Sequence, residues 1–233
     1  MNNLKAIPPQ TTAFPLLALL LASGAGVVLA ALRVLWTGDI EYFFLVWNIL
    51  LAWLPLLFSL AACRLYNKGV RRGWQIYSLA GLWLLFFPNA PYIFTDLVHL
   101  TNYFYAHFWV DLSLVLLFAL TGFLLGFVSL YLMQQVVVDR FGRVASWLFI
   151  LVVTGLSGVG IYWGRFLRLN SWDVVANPFK IIQSIGQSVA HPLANHMSLV
   201  FPALFATFLF FGYLMLYALT HLQPARQPVP AAT

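Results

Sequence analysis

The sequence predicts an all-α fold, a polytopic bundle of six transmembrane helices. Of the 233 residues, 62% are hydrophobic and only 8% are charged, and the mean hydropathy is +0.88. A soluble domain of this size needs more polar surface than this composition supplies. The apolar residues also gather into long stretches, and a helix that crosses the hydrocarbon core needs about 20 of them. We therefore expect one integral membrane domain over residues 1–233, with flexible tails at 1–13 and 223–233.

Six stretches are apolar enough to form spans, and the first is too long for the apolar region of a signal peptide. They cover residues 14–35, 42–63, 74–87, 110–133, 144–163 and 197–219. The third is the shortest, and Pro88 and Pro91 follow it. Proline removes a backbone donor, and unpaired backbone groups cannot face lipid. The third span is therefore expected to continue as a broken helix or to be covered by protein.

The basic residues predict the orientation of the bundle, because positive charge gathers on the cytoplasmic side. Eight of them fall in the tails and in the second and fourth connections: Lys5, Arg64, Lys68, Arg71, Arg72, Arg140, Arg143 and Arg226. Both termini are then cytoplasmic, and residues 88–111 and 164–196 face the extracytoplasmic side.

Two further patterns concern packing. After Pro178, the apolar residues Phe179, Ile182, Ile185 and Val189 share one helical face, which predicts an interfacial helix between spans five and six, either a lid or a connector. Small residues also recur at four-residue spacing, which favours close contact between helices, with a glycine-lined pore or hinge as the alternative. They are Ala18, Ala22, Gly26 and Ala30, then Gly122 and Gly126, then Gly160 and Gly164.

Residues 87–100 form the first polar string. Asp96 and His99 lie three residues apart and share a helical face, as do His107 and Asp111 at the start of the fourth span. Carboxylates and imidazoles are ligands for a divalent metal, so these four residues are candidate metal ligands. Asp96, His99 and Asp111 are also the candidate catalytic residues. The competing interpretation is that the carboxylates form ion pairs with arginines on the same side.

Residues 160–173 form the second polar string. Arg165 and Arg168, three residues apart, are expected to share a face and to bind phosphate or carboxylate; alternatively they pair with aspartates or reach lipid phosphates. The two strings predict one polar pocket walled by spans two to five. The candidate substrate-binding residues are Asn89, Tyr92, Arg165, Arg168, Asn170, Trp172 and Asp173. Asn48, alone on the second span, is more typical of a contact between helices than of a ligand.

Composition also limits the partners. Cys63 is the only cysteine, so an intramolecular disulfide is excluded. The formal net charge of +6 is dispersed over helix ends, which favours anionic membrane lipids as partners and argues against nucleic acid.

Three segments resemble a bacterial multi-pass membrane family known as domain of unknown function 1361. They are FPNAPY-x-x-TDLVHL from Phe87, G-x-x-x-G-x-x-SLY ending at Tyr131 and GIY-x-GRFLRLNSWD from Gly160. The resemblance extends over residues 42–219. It implies a multi-pass protein of the bacterial inner membrane and transfers no activity.

Three functions remain open on the sequence alone. The first is a membrane-embedded enzyme that acts on a lipid or lipid-linked anionic substrate at the extracytoplasmic face. The second is a transporter with its site at the broken helix. The third is a non-catalytic subunit or assembly factor that binds a partner membrane protein through its glycine faces and aromatic residues.

Overall fold

The computed structural model describes residues 13–70, 73–100, 107–169, 171, 173–179, 181, 183, 186 and 197–221. These residues contain helices and no strand, and six helical stretches are long and apolar enough to cross a membrane. The predicted all-α class and the six spans are confirmed. The predicted tails lie outside the described residues except for Ala13, which begins the first helix. Most of the expected interfacial helix also lies outside them.

The helices follow one another with short connections. They are α1 (Ala13–Thr37), α2 (Phe44–Asn67), α3 (Trp74–Phe86), α4 (Asn89–Tyr92), α5 (Phe108–Phe141), α6 (Arg143–Phe166), α7 (Asp173–Ala176) and α8 (Met197–Thr220), with 3-10 helices at Glu41–Phe43 and Ile93–His99. The central element is α5, which packs against α1, α2, α4, the second 3-10 helix and α6. We call the end of the bundle at which α2 and α5 begin and α6 ends the site end.

The third span is a broken helix, as expected. Helix α3 stops at Phe86, two residues before Pro88, and the chain crosses the remaining depth through α4 and the 3-10 helix Ile93–His99. Together these elements make one crossing, Trp74–His99. Ala90 and Ile93 are fully buried. Protein therefore covers the irregular backbone that proline leaves, which lipid could not satisfy.

Glycines of α5 make this cover possible. A Cβ atom on Gly122 would lie 2.7 Å from the backbone oxygen of Ala90 and 2.7 Å from Ile93 Cδ1. A Cβ atom on Gly126 would lie 3.2 Å from Ala90 Cβ. Only a residue without a side chain lets α5 approach the broken segment this closely.

Glycines of α6 hold the same segment from its other side. A Cβ atom on Gly160 would lie 2.9 Å from Pro88 Cγ, and one on Gly164 would lie 3.2 Å from Tyr92 Cε2. We call Gly122, Gly126, Gly160 and Gly164 the glycine clasp. The spacing of these four residues thus serves close packing around the broken third span.

Candidate functional site

A cavity of about 980 Å³ lies between α2, the broken third span and α6. Helix α3 packs along α2, while α6 packs against α5 and α8, and the cavity is the space that this arrangement leaves between α2, the broken third span and α6. Its polar lining is at the site end: Asn48, Asn89, Asp96, His99, Arg165, Arg168 and Ser171. The rest of its wall is largely apolar and includes Leu51, Gly81, Leu84, Leu156 and Val159.

Asp96 is the buried centre of the polar end, with 1% of its surface exposed. Asn48 Nδ2 on α2 donates a hydrogen bond of 2.8 Å to Asp96 Oδ2. Arg165 on α6 donates from NH1 to Asp96 Oδ1 at 3.2 Å. Both carboxylate oxygens are therefore engaged, as a buried charge requires. Asn48 thus joins α2 to the 3-10 helix, in agreement with its interpretation as a contact between helices, and it also lines the cavity.

Arg165 bridges Asp96 to a second candidate residue. Its NH2 atom lies 3.3 Å from His99 Nε2. A guanidinium group has donors and no acceptor, so His99 Nε2 accepts and the imidazole is neutral, with its proton on Nδ1. His99 is exposed and its ring lies 5.2 Å from that of Phe44. It is the titratable side chain of this cluster that a ligand in the cavity can reach most directly.

Arg168 lies beyond the end of α6 rather than on it. The helix ends at Phe166, and the amides of Leu167 and Leu169 both bond to the Trp163 carbonyl oxygen, at 3.1 and 3.2 Å. Arg168 has a φ of 52°, a left-handed conformation that non-glycine residues rarely adopt. The prediction that Arg165 and Arg168 share a helical face is therefore wrong, yet both residues line the cavity.

The chain after α6 folds back onto the break in the third span. Asn89 Nδ2 donates to Ser171 Oγ at 3.1 Å, and Ser171 Oγ donates to the Leu85 backbone oxygen at 3.1 Å. The serine hydroxyl thereby satisfies a carbonyl at the interrupted end of α3. Sequence reasoning did not select Ser171; its position within the second polar string was the available signal.

The remaining substrate candidates differ in placement. Tyr92 lines the cavity and packs against Gly164. Asp173 is buried and does not line the cavity. Asn170 and Trp172 lie outside the described residues.

Asp111 lies in a different cluster, between α1 and α5. Arg33 donates from Nε to Asp111 Oδ1 at 3.0 Å and from NH2 to Asp111 Oδ2 at 3.4 Å. The same guanidinium group donates from NH1 to the Asp39 backbone oxygen at 2.7 Å and lies over the ring of Tyr42. Asp111 is therefore separate from Asp96, and it forms an ion pair with Arg33 that joins α1 to α5.

The four candidate metal ligands thus divide between two places. His107 begins the turn before α5 and its ring meets that of Trp36 at 4.5 Å; its Nδ1 atom is buried without a hydrogen-bond partner among the described residues. No three His, Cys, Asp or Glu side chains of the described part of the chain come together as a metal site. At the cavity, Asp96 and His99 could bind a metal ion only after each has lost its contact with Arg165.

Comparison with known protein families gives a match over most of the chain. The model of the family described as protein of unknown function (DUF1361) matches residues 47–217, a range that contains the glycine clasp and both polar strings. No curated protein and no solved structure matches the chain.

Proposed function

Because the chain belongs to the DUF1361 family, whose description gives no activity, we propose a function from the cavity itself. The protein is a membrane-embedded enzyme that acts on a lipid or lipid-linked substrate with an anionic headgroup. The observation that carries this proposal is the division of one cavity of about 980 Å³ into a charged end and an apolar remainder. A ligand that fills such a space needs an anionic head and an apolar tail.

The depth of the cavity supports a lipid over a water-soluble anion. The wall contributed by α6 runs from Leu156 to Arg165, a rise of about 14 Å in a regular helix. The hydrocarbon core of a bilayer is about 30 Å thick. The cavity therefore has the depth of one leaflet, with its arginines at the level of the headgroups.

Charge supports placing this cavity in the extracytoplasmic leaflet. Arg64, Lys68, Arg140 and Arg143 lie at the end of the bundle opposite the site end. Positive charge favours the cytoplasmic side, so the proposal places both termini in the cytoplasm and the cavity mouth outside. The inner membrane of a bacterium is the location that goes with it.

The contacts of Arg165 suggest how binding prepares the chemistry. An anionic headgroup competes with Asp96 and His99 for the donors of Arg165, because a guanidinium group binds phosphate oxygens bidentately. When NH2 turns to the headgroup, His99 Nε2 loses its donor. The free nitrogen is then able to act as a general base: it takes the proton of a hydroxyl group or water that attacks the headgroup ester, and it returns the proton to the leaving oxygen as the ester bond breaks. Asp96 stays oriented by Asn48 during this exchange.

Filling the apolar part of the cavity tests whether a lipid tail occupies it. Gly81 lines the cavity and has nothing within 4 Å of an added Cβ, so Gly81→Phe should fold and block the tail. Losing the burial of two methylene groups, at about 0.8 kcal/mol each, lowers affinity about tenfold. Lipid retained through purification is measured by native mass spectrometry. Gly155→Phe is the control, since Gly155 also faces open space but does not line the cavity; equal retention in the two variants would contradict the proposal.

His99→Gln tests the enzymatic step separately from binding. We expect lipid retention to stay at the parent level and conversion of lipid headgroups in nanodiscs, followed by mass spectrometry, to slow about 100-fold or more, the usual contribution of a general base. His221→Gln is the matched control, because His221 is exposed at the other end of the bundle. A protein that retains lipid and converts none, or a His99→Gln variant with parental turnover, would exclude this mechanism.

One observation favours a transporter as the second candidate: the third span is broken at mid-depth, as in carriers with discontinuous helices. Against it, the side of the break that faces α5 is filled. The rings of Trp83 and Phe87 lie 5.1 Å apart, Trp83 stacks on Phe149 at 5.8 Å, and the space beside Phe87 and Pro91 measures only about 10 Å³. Substrate uptake by proteoliposomes that contain the parent protein would favour transport.

The glycines at four-residue spacing, which a partner protein would contact, are used within the chain. The glycine clasp surrounds the broken third span, and an added Cβ on Gly26 of α1 would lie 3.1 Å from Phe118 Cζ. A role as a non-catalytic subunit therefore has less support from these residues than the lipid site has from the cavity.

A further inference from the structure

Among the described residues, the charges that line the cavity nearly cancel. Arg165 is matched by Asp96 at 3.2 Å, and His99 accepts a hydrogen bond from Arg165 and is neutral. Arg168 is exposed at the mouth and forms no ion pair with a described residue. The described lining therefore carries one net positive charge, and Arg168 carries it.

This balance restricts the charge of a ligand, because an uncompensated charge against apolar walls is costly. A phosphodiester carries one negative charge. A phosphate monoester carries about −1.5 to −2 at pH 7, and a diphosphate carries more. Resting on the proposed lipid site, we propose that the cavity selects a lipid whose headgroup bears a single negative charge, a phosphodiester, and that Arg168 is the residue that recognises this charge.

The backbone of Arg168 supports this role. Its φ of 52° is unfavourable for a residue with a side chain, and such conformations persist where the surroundings enforce them. Here the two backbone hydrogen bonds to Trp163 fix the turn, and Arg168 lines the cavity together with Arg165. A glycine would form this turn more easily. The presence of arginine here is therefore explained by its side chain and not by the backbone.

The experiment compares lipids with identical dioleoyl chains and different headgroup charge. The delipidated parent protein is titrated at pH 8 with phosphatidylglycerol, phosphatidic acid and phosphatidylcholine, and bound lipid is counted by native mass spectrometry. We expect phosphatidylglycerol to bind about tenfold more tightly than the other two, a difference of about 1.4 kcal/mol. Glycerophosphoglycerol, which is the same headgroup without tails, should not compete with phosphatidylglycerol for the protein. If it competes at a similar concentration, the ligand is a soluble phosphodiester, and the proposal that the ligand is a lipid is overturned.

Two variants change the charge of the lining in opposite directions. Arg168→Gly keeps the left-handed turn and should remove the preference for phosphatidylglycerol over phosphatidylcholine, whereas Arg168→Lys should keep it. Asp96→Asn leaves one more positive charge and should shift preference toward phosphatidic acid. Arg64→Ala, which removes one charge at the opposite end, is the control and should bind as the parent does.

The outcomes separate this inference from the function on which it rests. Tighter binding of phosphatidic acid by the parent, or an unchanged preference in Arg168→Gly, would overturn selection for a single charge while the lipid site stands. Failure of the parent to bind any of the three lipids would overturn the lipid site itself.

Discussion

Replacement of Gly122 by alanine is expected to destabilise the protein by about 3 kcal/mol, the upper part of the range for overpacked cores. The added Cβ would lie 2.7 Å from the Ala90 backbone oxygen, and a backbone atom cannot move aside by changing rotamer. The helix α5 must therefore separate from the broken third span. Thermal unfolding in a fixed detergent, together with lipid retention, measures the effect, and we expect both to fall.

Replacement of Gly155 by alanine should instead stabilise the protein. Gly155 lies within α6 and has nothing within 4 Å of an added Cβ, so alanine there gains helix propensity, up to about 1 kcal/mol. The pair of variants separates local crowding from a general effect of replacing glycine in a helix. Equal stability of the two variants would show that α5 does not approach the third span as closely as described.

Replacement of Asp111 by alanine should cost about 3 kcal/mol, near the lower limit for breaking a buried ion pair. Arg33, with 6% of its surface exposed, would keep Asp39 as a partner but lose both bonds to the Asp111 carboxylate. Lipid retention by the folded fraction should not change, because Asp111 does not line the cavity. Equilibrium unfolding and native mass spectrometry measure the two effects.

The double variant Arg33→Met with Asp111→Leu is the control for Asp111. Apolar residues of similar volume often replace a buried ion pair at little cost, so this variant should recover most of the lost stability. If Asp111→Ala is instead as stable as the parent and has lost headgroup conversion, Asp111 acts in catalysis, as its sequence position first suggested.

Hydropathy was sufficient to predict the six spans but not their ends. The fourth predicted span ended at residue 133, whereas α5 continues to Phe141. Its last two turns contain Gln134, Asp139 and Arg140, polar residues that a hydropathy criterion rejects. Gln134 accepts a hydrogen bond of 2.5 Å from Tyr213 and Asp139 one of 2.6 Å from Tyr66. These contacts between distant parts of the chain sustain the helix, and no local pattern contains them.

The candidate site was predicted only in part, because local spacing again does not contain the contacts between distant parts of the chain. Spacing within one element placed Asp96 beside His99, and their pairing with Arg165 agreed with the expected ion pair. The spacing of His107 and Asp111 shows which face they share but not which helix that face meets. The partner proved to be Arg33 of the first span, whose place beside α5 only the fold reveals.

The left-handed turn at Arg168 was also beyond sequence reasoning. No glycine or proline follows Arg165 closely enough to mark the end of α6, so the helix was expected to continue through both arginines. Instead, backbone hydrogen bonds from Leu167 and Leu169 to Trp163 end the helix before Arg168.

The broken third span has a consequence for the biogenesis of the protein. The mean hydropathy of its most apolar 18 residues is 1.2, the lowest value among the six spans, whereas the others have values of 2.1 to 2.3. Its irregular half is covered by α5 and α6, which leave the ribosome later. Residues 88–99 therefore reach the translocon before the glycines that enclose them have been synthesised. We expect this segment to wait in a hydrated or chaperoned state and to enter the bilayer only when the chain has been translated through Gly164, so that membrane integration of the third span is completed after that of the fifth.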